Sequence, residues 1–207
     1  MIFRKTELEG VLLIEPERIA DARGHFSRTW CHGEFESHGL DAAFVQCNTS
    51  FNHHRGTLRG LHYQAPPHEE GKLIRCTRGR LFDVAVDVRV HSATRGKWCA
   101  TELSADNGRM VFIPGGCAHG FQTLEDATEI FYQMTADYVP DAARGLRWDD
   151  PTLAIDWPVS DPIMSERDLQ NFPYFGAIEA DTVAPKNADN TTALRRVMSG
   201  QHAGNYG

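Results

Sequence analysis

Leu81–Arg89, LFDVAVDVR, alternates without a break. Phe82, Val84, Val86 and Val88 share one face, and Asp83, Ala85, Asp87 and Arg89 share the other, which is the period of two that a strand imposes. The polar face has two readings: solvent, or the lining of a polar cavity inside a closed sheet. Runs of the same kind recur on both sides: FVQCNTSF, GTLRGLHYQ and KLIRCT before it, KWCATELS, RMVFIP, HGFQTL and EIFYQMT after it. Turn residues separate them, at Arg78-Gly79-Arg80, Asp106-Asn107-Gly108 and Pro114-Gly115-Gly116. Short strands at this spacing predict an all-β sandwich or barrel. Helical signal is confined to a piece near Gly33–His38 and another starting around Ser165.

The chain has 207 residues, 41% of them hydrophobic with eleven Phe, enough to fill one barrel of this size. Residues 1–180 are expected to form a single domain. The polar, aperiodic stretch 181–207 is expected to be a tail or extension. Lys and Arg number 21 against 28 Asp and Glu, a net charge of −7, which opposes attraction to nucleic acid or to an anionic membrane. The opening MIFRKTELEGVLLIEPERI carries charges too early, and too short an apolar run, for a signal peptide, and no later stretch is long enough to span a membrane. A cytoplasmic protein is expected. Five cysteines with no C-x-x-C pair predict reduced, mostly buried thiols.

Two segments carry the chemistry. Gly108, Pro114, Gly116 and His119 meet the pattern G-x5-P-x-G-x2-H, and Gly56 and His62 meet the start of G-x5-H-x-H. The two patterns together resemble the paired motifs of the cupin jelly-roll barrel. Gln64 stands where the second histidine belongs, with Glu69 at the acidic spacing. An amide is a poor ligand beside imidazole and carboxylate, so a metal site built on His62, Glu69 and His119, as in a metal-dependent cupin oxygenase or isomerase, is the lesser reading. A non-catalytic sugar-binding cupin is a third. The first reading makes His62 a base, since histidine changes charge near neutral pH.

The motifs DARGHF, FVQCNTS, GTLRGLHYQ, GKLIRC, FDVAVDVR, FIPGGCAHGF, FYQMTADY, DDPTLAIDWP and MSERD follow one another from about Gly10 to Asp168. In this order they resemble the dTDP-4-dehydrorhamnose 3,5-epimerases. The resemblance implies a metal-free, cofactor-independent cupin jelly roll with short flanking helices. It implies a homodimer that epimerises a nucleotide-bound 4-keto-6-deoxyhexose on the way to rhamnose or a related deoxysugar; epimerisation of another nucleotide sugar, or at C3 only, stays open. It makes His62 the base, Asp168 the carboxylate that orients it, Tyr132 the acid on the other face of the sugar, and Lys72 the cation that meets the enolate oxygen. Arg23, Gln46, Cys47, Asn48, Arg59, His119 and Arg167 are implied as contacts to sugar and diphosphate. Tyr138 would stack on the nucleobase with Phe26 near the same end. Arg28 and Ala143 stand where the family carries glutamates, and a guanidinium in place of a carboxylate favours different partners.

By residue pattern alone these side chains have plainer readings. Tyr132 alternates with Ile130 and Met134 as a core aromatic would, and Lys72 and Asp168 read as surface charges. Strict alternation also puts Arg59 and His62 on opposite faces, so a bulge at Gly60 is required to turn both inward. Leu12–Glu15 is the candidate strand for completing a neighbour's sheet.

Overall fold

The computed structural model describes residues 1–40 and 43–182, so residues 183–207 of the expected extension lie outside the described residues. A six-stranded antiparallel sheet and a five-stranded one enclose the core. The first runs in the order β1 (Ile2–Lys5), β2 (Leu12–Glu15), β10 (Met110–Ile113), β7 (Lys72–Arg78), β12 (Thr128–Met134) and β5 (Gln46–Asn52). The second runs β13 (Ala143–Gly145), β6 (Leu58–Gln64), β11 (Cys117–Thr123), β8 (Arg80–Asp87) and β9 (Trp98–Ser104). This is the all-β, cupin-like architecture expected. β3 (Arg18–Asp21) and β4 (Gly24–Ser27) form a separate hairpin.

Both faces of β8 are buried. Leu81 and Ala85 pack between the sheets against Ile74, Val111 and Ile130, and Asp83 and Asp87 of the same face are 2% and 0% exposed. Val84, Val86 and Val88 face outward, yet they are covered by Leu146, Leu153, Trp157, Phe175 and Ile178 of the C-terminal segment. The polar face of this strand therefore points into the barrel. The outer face of the six-stranded sheet is closed by α1 (His32–Ser37), whose Phe35 sits among Ile14, Leu73, Met110 and Phe112.

Leu12–Glu15 does not stand free for a neighbour: β2 is hydrogen-bonded to β1 on one side and to β10 on the other within its own chain. Its apolar residues reach more partners there than a lone strand would. All five cysteines are free, with Cys76, Cys99 and Cys117 buried and Cys47 exposed.

The required bulge is present. Between β6 and β11, His62 pairs with His119 and Arg59 with Phe121, so Gly60 and Leu61 together oppose Gly120. Gly60 has φ of +127°, and a Cβ there would lie 2.6 Å from Gly120 Cα and 2.8 Å from the His119 carbonyl oxygen. Backbone meets backbone, and nothing can move aside. Gly60→Ala is expected to cost about 2–3 kcal/mol in urea denaturation, because a non-glycine residue is strained at this φ before the overlap is counted. Activity should fall with it, since the bulge aims His62.

Candidate active site

Arg59, His62 and Gln64 of β6 line a cavity of about 310 Å³ between the sheets. His119 and Phe121 of β11 stand beside them, facing Asn48 and Ser50 of β5, Lys72 of β7, and Tyr132 and Met134 of β12. Tyr138, Arg144 and Arg167 also line it. His62 and Tyr132 come from different sheets, so they reach the cavity from opposite walls.

The His62 Nε2 lies 2.9 Å from Asp168 Oδ1. The second oxygen of that carboxylate accepts from the Gly60 backbone N–H at 3.2 Å. Burial raises the Asp168 pKa, but the hydrogen bond and charge of His62, the Gly60 N–H and the charge of Arg167 outweigh it and leave the carboxyl below its ordinary range. An ionised carboxylate only accepts, so Nε2 carries the proton and Nδ1 is left to receive one. The His62 side chain is 41% exposed and Asp168 only 7%, which opens the imidazole to substrate and shields its partner. Asp168 is placed by α2 (Glu166–Gln170), where its own backbone N–H donates to the N-cap hydroxyl of Ser165 at 3.2 Å.

Asp168→Asn keeps this shape and removes the charge. Turnover should fall by about 10²–10³-fold with little change in KM. Because the folded pKa is depressed below the ordinary 3.8, the stability supplied by the carboxylate is complete above about pH 4 and is lost as the pH falls further. The difference in denaturation midpoint between wild type and Asp168→Asn should therefore be larger at pH 6 than at pH 3.

His119 has a carboxylate of its own: Nε2 lies 2.8 Å from Asp83 Oδ2, with both side chains buried. Its ring stands edge to face with Tyr132, centroids 6.2 Å apart. Burial drives the Tyr132 phenol well above its ordinary range; the Ser50 hydroxyl pulls the other way, Asp83 adds to the rise and Arg59 opposes it. The upward shift favours the protonated phenol, the form that has a proton to give. Lys72 Nζ pairs with Glu70 Oε1 at 3.0 Å, both side chains under 9% exposed, and lies 3.4 Å from the His62 carbonyl oxygen. Arg59 is steered by Asn52, whose Oδ1 accepts from Nε at 2.8 Å.

Several expected contacts are elsewhere. Arg23 is 89% exposed and paired with Asp21, Phe26 is 71% exposed, and Arg28 pairs with Glu34 at 2.8 Å. All three sit on or beside the separate hairpin, outside the cavity. Cys47 is exposed and alternates with Asn48 along β5, on the face away from the cavity. Gln46 shares the Asn48 face but stands one position pair farther along, opposite Met134, beyond the lining. Glu69 is exposed and lines a different cavity, so His62, Glu69 and His119 do not converge. Sequence reading missed Glu70, Asp83, Ser50 and Arg144. Glu70 was recoverable, since it stands two residues before Lys72 at the entry to β7, within reach of the same ammonium. Asp83 was signalled by the polar face of β8.

Residues 5–175 match the family model described as dTDP-4-dehydrorhamnose 3,5-epimerase. The chain is 47% identical over 169 residues to an enzyme of that name from Sinorhizobium fredii, covering 81% of this chain and 87% of the other. The crystal structure of the Elizabethkingia anophelis dTDP-4-dehydrorhamnose 3,5-epimerase superposes with a TM-score of 0.83 at 39% identity, covering 86% and 97% of the two chains. A 3,5-epimerase from Legionella pneumophila, solved in complex with dTDP-4-keto-L-rhamnose, gives 0.81 at 36% identity over 87% and 95%. With a likeness this extensive, the chain belongs to the dTDP-4-dehydrorhamnose 3,5-epimerase family.

Proposed function

We propose that the protein is a cofactor-independent isomerase that inverts C3 and C5 of dTDP-4-dehydro-6-deoxy-D-glucose in deoxysugar biosynthesis. One observation carries the reading: a carboxylate-backed imidazole and a phenol line one cavity from opposite sheets. Inverting a carbon by proton exchange requires an acceptor on one face of the ring and a donor on the other. His62 removes the proton beside the C4 ketone, and the imidazolium is steadied by Asp168. The charge that develops on the ketone oxygen is met by the Lys72 ammonium, held in a site shielded from water where a fixed cation counts for most. Tyr132 returns a proton to the opposite face. Asn48, Arg59, His119 and Arg167 are the lining groups suited to sugar and diphosphate, and Tyr138 offers its ring to the base. Each step is completed by side chains of this chain.

A second copy of the chain is part of this reading. Ile19 and Phe26 are 70% and 71% exposed on the β3–β4 hairpin, an apolar pair with no covering face among the described residues. Together with Arg23 and Arg28 they suit the mouth of a neighbour's cavity, as a homodimer would place them. A nucleotide-sugar substrate and five free thiols support a cytoplasmic setting for the enzyme, with residues 1–180 as its one catalytic unit.

The test is proton NMR of dTDP-4-dehydro-6-deoxy-D-glucose with the enzyme in heavy water. Deuterium should enter at both C3 and C5 with formation of the inverted sugar. Absence of exchange at either carbon would refute the 3,5-assignment, and absence at both would refute the reaction.

A further inference from the structure

We propose that Gln64 is a positioning residue that fixes the loop carrying Tyr138, so that nucleotide affinity depends on a buried amide that does not touch the nucleotide. The inference rests on the reading above, in which the base lies against Tyr138. Tyr138 is 55% exposed, so packing holds it weakly and its ring direction follows from its backbone. That backbone is gripped on both sides by one side chain. Gln64 Oε1 accepts from the Val139 N–H at 2.6 Å, and Gln64 Nε2 donates to the Asp137 carbonyl at 3.1 Å. The same Nε2 donates to the His68 carbonyl at 3.0 Å and lies 3.4 Å from Glu70 Oε2, the carboxylate that pairs with Lys72.

Gln64 is 2% exposed, so each of these bonds is made away from competing water. Only a side chain with an acceptor and a two-hydrogen donor at this reach satisfies Val139, Asp137 and His68 together. The pairing explains why an amide occupies a position from which an imidazole could ligate a metal in a related barrel pattern. It is spent on the loop.

Gln64→Met keeps length and removes the bonds; Gln64→Glu keeps shape and turns a donor into an acceptor facing two carbonyls and a carboxylate. The expected result for Gln64→Met is a Kd for dTDP raised about tenfold by calorimetry, with a smaller loss in kcat at saturating substrate, since Gln64 reaches Lys72 only through Glu70. For Gln64→Glu the Kd ratio to wild type should be about tenfold or more at pH 8.5 and shrink toward one at pH 5.5, where a protonated carboxyl again donates one bond and accepts another. A merely structural loss would not recover on acidification. In the Gln64→Met/Tyr138→Ala double variant, affinity should be no worse than in Tyr138→Ala alone, because the loop no longer presents the ring.

Additive losses, a Gln64→Met Kd within twofold of wild type, or a fall in kcat at unchanged Kd overturns the proposal. If Gln64→Met gives no folded protein, the pH dependence of the Gln64→Glu ratio decides alone, and a flat ratio is the refuting result. If Tyr138→Ala binds dTDP as wild type does, the placement of the nucleotide falls and this proposal with it. Weakened Tyr138→Ala beside unweakened Gln64→Met removes the proposal and leaves the function standing.

Discussion

His62→Ala should lose about 10³-fold in turnover while binding dTDP within a few-fold of wild type, the magnitude typical of removing a positioned general base. The side chain meets the sugar and not the nucleotide, which is why the two readouts separate. Deuterium uptake at C3 and C5 should fall with turnover, because no other group on that wall combines an accessible ring nitrogen with a carboxylate on the far side. His119 is the natural rival, but both it and Asp83 are buried, whereas the His62 ring is open. Exchange surviving within tenfold in His62→Ala would hand the role to His119.

Lys72→Met should cost about 10²–10³-fold in kcat, the range seen when a fixed donor to a developing oxyanion is removed. It should also cost stability, about 3 kcal/mol, because Glu70 is left as a buried charge without its partner at 3.0 Å. The two losses have different causes and can be pulled apart. Adding Glu70→Gln to Lys72→Met should restore much of the denaturation midpoint and none of the turnover. Recovery of both would mean that Lys72 acts only by neutralising Glu70.

Much of this site could be read from residue order, and the parts that could not have physical reasons. Alternation identified the strands, and it identified a contradiction at Arg59 and His62 whose resolution, an extra residue at Gly60, is present in the β6–β11 register. The same alternation left β8 ambiguous, because a period of two reports two faces and not which is inside. Its apolar face lies outside, covered by a C-terminal segment some 60 to 90 residues on, and no local pattern announces a cover so distant. Tyr132 reads as a core aromatic and is partly one, packed against the central cluster while it also lines the cavity. Arg23, Phe26 and Arg28 were grouped with the cavity by resemblance, yet a hairpin joined to neither sheet carries them away from it. Glu70 escaped notice because Glu69 beside it suited a metal pattern that this barrel does not assemble.

The abutting glycines at the crossing of β6 and β11 have one more consequence. Excising Gly60 would leave every reactive group in the polypeptide and restore an unbroken pleat. Arg59, Leu61 and His62 would then oppose Phe121, Gly120 and His119 one to one, so the imidazole would keep its side of the sheet and the phenol of residue 63 would keep the other. What the strand would forfeit is the backbone N–H that residue 60 offers to the Asp168 carboxylate, a loss of support behind the base with its handedness intact.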